Sequence, residues 1–366
     1  MPSRNLAAGH TGCSTDHGAG AVMVGWRGSL AKNINLTSGQ LSPTLHISTC
    51  FSNFIFPNIR GRQDKERIKD SHQNLHNFVA MTFTTNASIR VFGGRLLKLT
   101  HQSATTGTAM NLNLFIPASA SATHPAPVLL YLSGLTCTPD NVTDKGFLQA
   151  HAAPLGLALL YPDTSPRGLG LPGEDDDWDF GSAASFYIDA VRAPYDTNYK
   201  METYIARELP DAVCGAFEEL DGGRISITGH SMGGHGALTL FLKNPGKYKS
   251  VSAFAPIANP GRCPWGRKAF SGYLGDDEEE WKKHDATELI KSWKGGEFPC
   301  LIDVGTGDPF YKKGELLPEN FEKAIKEAGI SGTTVRYQDD YDHSYFFVQT
   351  FGEDHVKHAA KALGLL

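Results

Sequence analysis

The segment ISITGHSMGGHGALTL, residues 225–240, places Ser231 among four glycines and two histidines. Such a glycine-rich turn could hold a phosphate, carry a nucleophile or only connect two elements. A Walker phosphate loop requires Lys followed by Ser or Thr after its last glycine. Here Gly236 is followed by Ala237, and no lysine lies in the segment. Residues 229–233 instead fit the pattern G-x-S-x-G with Ser231 at its centre, as in a nucleophile elbow.

The sequence on either side of Ser231 supports the elbow. RISIT precedes it as a predicted strand, and GGHGALTLFLKN follows it as a predicted helix. In an elbow the serine occupies a strained turn, and the residues two before and two after it pass too close for side chains. Gly229 and Gly233 occupy those two positions. The N-terminus of the following helix directs its positive end at the serine, where negative charge would develop.

The remaining pattern predicts an α/β-hydrolase fold with a mostly parallel central sheet flanked by helices. Residues 87–103 and 108–119 alternate apolar and polar residues, which predicts antiparallel strands at the N-terminal edge. Solid apolar runs, typical of parallel strands buried on both faces, follow at 126–134, 156–163, 224–230, 250–257 and 300–305. Helical patterns lie between or after them, at 201–220, 234–244, 318–329 and 344–364.

Residues 1–80 differ in composition from the remainder. They contain eight Lys and Arg against four Asp and Glu, and Asp16 is the only acid among the first sixty residues. We expect a disordered N-terminal extension over 1–80, followed by an α/β-hydrolase catalytic domain over 81–366. The extension could be an organelle transit peptide, since such peptides are typically basic and acid-poor. The alternatives are a disordered tail without a targeting function and a gene-model artefact.

Charge and cysteine content exclude several classes of protein. The chain carries a net charge of −5, and its acidic main body argues against a nucleic-acid partner. No apolar run approaches the roughly 20 residues that span a bilayer, so we expect no membrane association. The six cysteines form no CxxC pair, which predicts free thiols in a reducing compartment. We therefore expect a cytoplasmic protein, with an organelle reached through residues 1–80 as the alternative.

A serine nucleophile needs a base, and the base needs an acid that orients it. In this fold the chain order is serine, acid, histidine. Asp308 follows the predicted strand 300–305, where α/β sheets carry functional groups, whereas Asp303 lies inside that strand; we choose Asp308. His343 lies in the loop after the next strand, and we choose it as the base.

Other histidines are less suited to act as the base. His230 and His235 are too close to Ser231 along the turn, so we interpret them as packing or rim residues. His355 and His358 stand three residues apart on the last helix, without further metal ligands, and we expect both at the surface. The segment GLGLPG, 168–173, fits GxGxxG, but Pro172 and the acids that follow indicate a loop instead of a dinucleotide site.

The oxyanion of the tetrahedral intermediate needs two backbone N–H donors. Met232, directly after the serine, should supply one. The segment VLLYLSGLTCTPDN, 128–141, ends a predicted strand at Leu132 and turns at Gly134. The amide of Leu135 is the second candidate.

Long blocks across residues 81–366 make the chain resemble the S-formylglutathione hydrolase family, also called esterase D. They include YLSGLTCTPDN, GEDDDWDFG, TNYKMETYI, GHSMGGHGAL, CPWGRKAFSGYLG and DYDHSY. The resemblance implies hydrolysis of S-formylglutathione to formate and glutathione in formaldehyde detoxification, and a possible homodimer. It carries the catalytic roles to Ser231, Asp308 and His343 and the oxyanion donors to Leu135 and Met232. We expect neither cofactor nor metal.

Three further residues carry hypotheses about the pocket. Cys137, two residues past Leu135, would make the enzyme sensitive to thiol reagents, or would be a small buried loop residue. Trp178 and Trp265, both expected in loops, would wall the glutathione pocket or anchor the core. The alternative functions are a general carboxylesterase on small acyl esters, an acyltransferase of similar architecture, and an inactive hydrolase-like binding protein.

Overall fold

The structure, a computed structural model, describes residues 83–366. The predicted extension 1–80 lies outside the described residues, so its boundary with the catalytic domain stays a prediction. Nine strands form one sheet: β1 (Phe83–Val91), β2 (Gly94–Gln102), β3 (Ala109–Ile116), β4 (Ala126–Leu132), β5 (Ala158–Pro162), β6 (Leu220–His230), β7 (Tyr248–Phe254), β8 (Cys300–Gly305) and β9 (Thr333–Gln338).

The strand order is β1-β2-β3-β5-β4-β6-β7-β8-β9. The pairs β1–β2, β2–β3 and β3–β5 are antiparallel, and every pair from β5–β4 to β8–β9 is parallel. The prediction of a mostly parallel sheet with antiparallel strands at the N-terminal edge is confirmed. β4, β5 and β8 are buried along their whole length, because helices cover both faces of this part of the sheet.

The helices of the described chain lie between residues 139 and 362. They are α1 (Pro139–Lys145), α2 (Leu148–Ala152), α3 (Met201–Thr203), α4 (Leu209–Ala216), α5 (Met232–Lys243), α6 (Pro264–Leu274), α7 (Glu278–Trp281), α8 (Ala286–Leu289), α9 (Pro309–Lys312), α10 (Pro318–Glu327) and α11 (Tyr345–Ala362). Short 3₁₀ turns occupy Ala153–Leu155, Pro260–Arg262, Lys282–His284 and Ile290–Ser292. A π-helical turn, Tyr204–Glu208, joins α3 to α4.

The predicted helices after β5, β6, β8 and β9 are present. The pattern at 201–220 becomes α3, the π turn and α4, since Pro210 has no N–H to give to the residue four before it. α6 has no counterpart among the predicted helices. Its sequence, PWGRKAFSGYL, contains two glycines, which weaken the helical pattern, although the proline at its start favours a first helical turn.

The carboxyl ends of β4, β6, β8 and β9 lie along one edge of the sheet, because these strands are parallel. Their registers align Leu132 with Gly229, His230 with Phe254, and Phe254 with Asp303. The loops that follow β4, β6, β8 and β9 therefore meet at this edge. The segment 168–173 is a loop with no helix beginning at it, as predicted.

Candidate active site

Ser231 lies in a tight turn between β6 and α5 with φ 60° and ψ −118°. A positive φ is unfavourable for a residue with a side chain and indicates stored strain. The backbone around it is held on both sides: the amide of Ser231 donates to the carbonyl of Phe254 at 2.9 Å, and its carbonyl accepts from the amide of Ile257 at 3.2 Å. These bonds to and beyond β7 keep the turn in its strained form.

The glycines of the elbow are required by close approach of backbone segments. A Cβ added at Gly229 would lie 2.1 Å from the carbonyl oxygen of Gly233. A Cβ added at Gly233 would lie 2.0 Å from the carbonyl oxygen of Leu132, at the end of β4. Both distances are shorter than any van der Waals contact, so side chains at either position would open the turn. The clash expected from the sequence is present.

Asp308 and His343 form a hydrogen-bonded pair. The distance between His343 Nδ1 and Asp308 Oδ2 is 2.5 Å, and the Asp308 side chain is fully buried whereas that of His343 is 13% exposed. The other carboxylate oxygen of Asp308 accepts from the amides of Phe310 and Tyr311 at the start of α9. The carboxylate is therefore fixed by three bonds, and it fixes in turn the ring of His343.

The loop that carries His343 reaches Asp308 because β8 ends in a residue without a side chain. A Cβ at Gly305 would lie 2.1 Å from the carbonyl oxygen of Tyr341. The amide of Asp340 also donates to the Thr306 hydroxyl at 2.9 Å, which ties the two loops together. Sequence reasoning chose Asp308 and His343 from chain order and did not identify this contact, although the glycines of GTGDP were the available signal.

The loop after β4 passes directly against the nucleophile candidate. A Cβ added at Gly134 would lie 3.0 Å from the Cβ of Ser231 and 3.6 Å from its hydroxyl oxygen. Leu135 follows Gly134 and lines the same pocket as Ser231. Met232 is the first residue of α5, so its N–H has no acceptor within the helix. The two expected oxyanion donors thus stand on the two segments that flank the Ser231 hydroxyl.

A pocket of about 240 Å³ contains Ser231 and His343. Its wall also includes all three residues that carried pocket hypotheses, Cys137, Trp178 and Trp265. Sequence reasoning missed three other wall residues, Thr136, Phe310 and Tyr345. Phe310 and Tyr345 each follow a predicted triad member by two positions, which was the signal that could have identified them.

An aromatic series forms one side of this pocket. The rings of Trp178 and Trp265 meet edge to face at 5.5 Å, Trp265 lies 4.7 Å from Phe310, and Phe310 meets His343 edge-on at 4.9 Å. Trp178 is 56% exposed and Trp265 is 8% exposed. The expectation that both lie in loops is wrong for Trp265, which occupies the first turn of α6 because Pro264 starts that helix.

His230, next to the nucleophile candidate, packs against the proposed base. Its ring lies 4.5 Å from that of His343 and is 5% exposed. Burial lowers the pKa of His230 well below its usual value, and the positive charge of a protonated His343 lowers it further. His230 is therefore neutral at neutral pH. His235 is fully buried and bonds the carbonyl of Phe186 at 3.0 Å, so both histidines pack as expected.

The expectation that His355 and His358 lie at the surface is wrong. His355 is 1% exposed, stacks on Phe254 at 3.6 Å between ring centroids, and bonds Asp303 through Nε2 at 2.9 Å. His358 is half-buried and faces the carbonyl oxygens of Val251 and Pro299 at 3.1 and 3.2 Å. Both point inward because this face of α11 packs on β7, which the local sequence does not reveal.

Asp303, the rejected acid, belongs to a separate buried network. Arg336 donates to both of its carboxylate oxygens, at 2.8 and 2.5 Å, and the Gln338 amide adds a bond of 2.6 Å. Burial alone would raise the pKa of Asp303, but its bonds with His355 and Arg336 outweigh that effect and lower it to about 2. Its oxygens are occupied by partners from β9 and α11, so it does not orient His343.

The Cys137 side chain lies between the pocket and α11. Its Sγ is 3.6 Å from the Tyr345 hydroxyl, and the residue is 9% exposed. Burial raises the pKa of the Cys137 thiol above its usual value, against smaller opposing effects that include the Lys145 cation. The thiol is therefore protonated at neutral pH. Cys214, Cys263 and Cys300 are also free thiols.

The acidic loop 174–177 divides into a buried and an exposed part. Glu174 is 1% exposed and accepts hydrogen bonds from the Gly170 amide and the Tyr199 hydroxyl. Asp177 is exposed and pairs with Lys268 at 2.9 Å. Glu174 thus organises the loop, while the aspartates face solvent beside Trp178.

Residues 83–366 contain no cluster of three or more His, Cys, Asp or Glu side chains arranged to hold a metal ion. Among the same described residues, no helix is long and apolar enough to cross a membrane. The functional groups that line the pocket include the Ser231 hydroxyl, the His343 imidazole and the Cys137 thiol.

Comparison with known proteins identifies close relatives. The family model described as "Putative esterase" matches residues 103–358. S-formylglutathione hydrolase of Rattus norvegicus is 49% identical over 277 residues, covering 76% of this chain and 97% of the relative. The enzyme of that name from Arabidopsis thaliana is 48% identical over 278 residues, with the same coverage. A solved S-formylglutathione hydrolase from Agrobacterium tumefaciens is 44% identical and superimposes with a TM-score of 0.73, covering 77% of this chain and 100% of that one.

Proposed function

This chain belongs to the S-formylglutathione hydrolase family, and from that membership we propose that it hydrolyses the thioester S-formylglutathione to formate and glutathione. The observation that carries the proposal is the arrangement in the pocket. Ser231 stands at a strained turn in the same pocket as His343, whose Nδ1 is bound to the buried carboxylate of Asp308. Nucleophile, base and orienting acid in this relation perform acyl transfer on several unrelated folds.

Acylation begins when the Ser231 hydroxyl attacks the formyl carbon and His343 Nε2 takes the hydroxyl proton. Asp308 holds the proton on Nδ1, which leaves Nε2 free to act as the base, and it stabilises the imidazolium that forms. The tetrahedral intermediate collapses when the carbon–sulfur bond breaks. Glutathione leaves with the proton from His343, and a formyl ester remains on Ser231.

Deacylation repeats the same steps with water. His343 takes a proton from a water molecule, which attacks the formyl ester, and then returns the proton to the Ser231 oxygen as formate leaves. Both half-reactions consist of proton transfers through His343 and acyl transfer to and from the Ser231 oxygen. The neutral imidazole of His230, packed against the His343 ring, would restrict that ring to the orientation that Asp308 sets.

The oxyanion formed in both steps would accept hydrogen bonds from the amides of Leu135 and Met232. The close approach of Gly134 to the Ser231 hydroxyl supports this role for the loop after β4. The N-terminal end of α5 adds a favourable electrostatic field at the same point. In other serine hydrolases one such donor contributes about 3 kcal/mol to transition-state stabilisation.

The size of the pocket supports a small acyl group. Its volume of about 240 Å³ is shared by the acyl group and the sulfur-bearing part of the substrate. Formyl, with one carbon, is the smallest acyl group available. With this substrate, the reaction would serve formaldehyde detoxification, the process that the resemblance implies for the family. A cytoplasmic location and a homodimer stay predictions.

The decisive experiment compares kcat/KM on S-formylglutathione with kcat/KM on p-nitrophenyl acetate. The wild-type protein should prefer the thioester, and Ser231→Ala should lose turnover of both substrates because the nucleophile is missing. A preference for the aryl ester would favour a general carboxylesterase and sink the assignment. Turnover retained by Ser231→Ala would overturn the mechanism.

A further inference from the structure

A second concavity lies beside the pocket, between the α1–α2 junction and the start of α11. We call it the Lys145 groove; its volume is about 480 Å³, and its lining includes Asp144, Lys145, Phe147, Tyr345, Phe346 and Gln349. Tyr345 lines both the groove and the pocket that holds Ser231. Tyr345 therefore forms part of the wall of both spaces.

Two phenylalanine side chains of the groove are exposed to solvent. Phe346 is 76% exposed and Phe147 is 48% exposed. Phe147 also has a positive φ of 52°, an unfavourable conformation for a bulky residue. Clustered exposed apolar side chains mark binding surfaces, and backbone strain persists where the surrounding structure holds a residue in a required place. Both observations indicate a ligand.

Charge indicates which part of the ligand enters. Lys145 is exposed at the last turn of α1 and lines the groove, which shares Tyr345 with the pocket that contains Ser231. On the Trp178 side of the pocket, by contrast, the exposed loop carries Asp175, Asp176 and Asp177. Asp144 also lines the groove, but among residues 83–366 no carboxylate forms an ion pair with Lys145, whereas Lys268 on the Trp178 side is already paired with Asp177 and Asp179. A lone carboxylate therefore meets an available cation on the Lys145 side.

The thiol of glutathione lies in the middle of the molecule, with a γ-glutamyl arm on one side and a glycyl arm on the other. When the sulfur is at Ser231, both arms must extend beyond a pocket of about 240 Å³. The γ-glutamyl arm ends in both an ammonium and a carboxylate, with no net charge. The glycyl arm ends in a carboxylate alone, which is the group that Lys145 suits.

Resting on the proposed function, we propose that the Lys145 groove binds the glycyl arm of glutathione, with Lys145 paired to its terminal carboxylate. Phe147 and Phe346 cover the peptide unit between cysteine and glycine. The pairing makes Lys145 a specificity-determining residue for the leaving group, distinct from the groups that act on the formyl carbon.

The test uses S-formylglutathione and its glycine amide, in which a neutral carboxamide replaces only the glycyl carboxylate. Wild type should favour the carboxylate form in kcat/KM by about tenfold, since a charge-assisted pair in a partly exposed site is removed. Lys145→Met should bring that ratio close to one. Lys294→Met, which removes an exposed lysine elsewhere on the surface, should keep the wild-type ratio.

A ratio in Lys145→Met equal to that of wild type overturns the groove assignment, as does a wild-type enzyme that ignores the glycyl carboxylate. A wild-type enzyme that fails to hydrolyse S-formylglutathione at all overturns the proposed function and the groove together. Phe346→Ala gives a second readout: KM for S-formylglutathione should rise several-fold while kcat is kept. If Phe346→Ala instead changes the sedimentation mass and leaves KM as it was, the groove is a self-association surface and the proposal fails.

Discussion

Within residues 83–366, Asp303 in β8 and Asp308 just past it each bond a histidine, and the two pairs have opposite characters. Asp308 and His343 meet at 2.5 Å, and the imidazole opens to the pocket. Asp303 and His355 meet at 2.9 Å, with the imidazole sealed against Phe254. Asp308 bonds the His343 imidazole and two backbone amides. Asp303 bonds the His355 imidazole, Arg336 and Gln338.

This comparison shows that a hydrogen-bonded aspartate and histidine do not by themselves make a catalytic pair. The pair past the end of β8 leaves one imidazole nitrogen facing a space where a substrate can lie. The pair inside β8 bonds β8, β9 and α11 together, which is a structural task. Four predictions separate the two roles.

The largest effect is expected from Asp308→Asn. The asparagine carbonyl can still accept from the amides of Phe310 and Tyr311, so the fold should be retained. Its NH₂ group would face His343 Nδ1 and favour the wrong tautomer, and kcat should fall by about 10⁴-fold. Steady-state kinetics and a thermal melt would measure the two effects. Normal kcat in a folded Asp308→Asn protein would remove Asp308 from the mechanism.

Asp303→Asn should have the opposite result. Loss of the carboxylate leaves Arg336 and His355 without their buried counter-charge, and the free energy of unfolding should fall by about 3 kcal/mol. The kcat should stay near that of wild type, because Asp303 does not touch the pocket. Urea unfolding and kinetics at a temperature well below the melt measure both. A large loss of kcat at unchanged stability would assign Asp303 to catalysis.

The pH dependence of the free energy of unfolding should further distinguish the Asp303–His355 pair from the Asp308–His343 pair. The pKa of Asp303 is depressed to about 2 in the folded state, so its contribution is present above its unfolded pKa and is lost as the pH falls through about 4 towards 2. The stability difference between wild type and Asp303→Asn should shrink by about 1 kcal/mol by pH 3 and about 2 kcal/mol by pH 2. Urea midpoints at several pH values provide the measurement. A difference that is constant from pH 6 to pH 3 would contradict it.

The smallest effect concerns two cysteines, one in the pocket wall and one in the interior of β8. Cys137 lines the pocket, while Cys300 lies in β8 at 1% exposure. Because burial raises the pKa of both thiols, reaction with N-ethylmaleimide should be slow, and Cys137→Ala should slow inactivation further. Cys300→Ala serves as the matched control and should inactivate at the wild-type rate. Inactivation of Cys137→Ala at the wild-type rate would show that the sensitive thiol is elsewhere.

Much of the site could be predicted from local sequence, because its parts follow recognisable elements. The elbow is readable since Gly229 and Gly233 flank Ser231 between a strand and a helix pattern. Asp308 and His343 could be chosen from their positions just past two strands. Phe310 and Tyr345 follow Asp308 and His343 by two positions, so the sequence held a signal for them. The Lys145 groove had no such signal, because it forms between α1 and α11, which join residues about two hundred positions apart.

By itself, the sequence determined the parallel sheet and the glycine-flanked serine turn, because these depend on apolar periodicity and on residues adjacent in the chain. The order of candidate nucleophile, acid and base was predicted from the same elements. The tertiary structure alone decided which histidines are buried, that Trp265 begins a helix, and which aspartate meets which imidazole. Those outcomes depend on how the face of α11 packs on β7 and on the close approach of the Gly305 and Tyr341 loops. Side-chain environment is a sum over contacts from distant segments, and no local pattern records it.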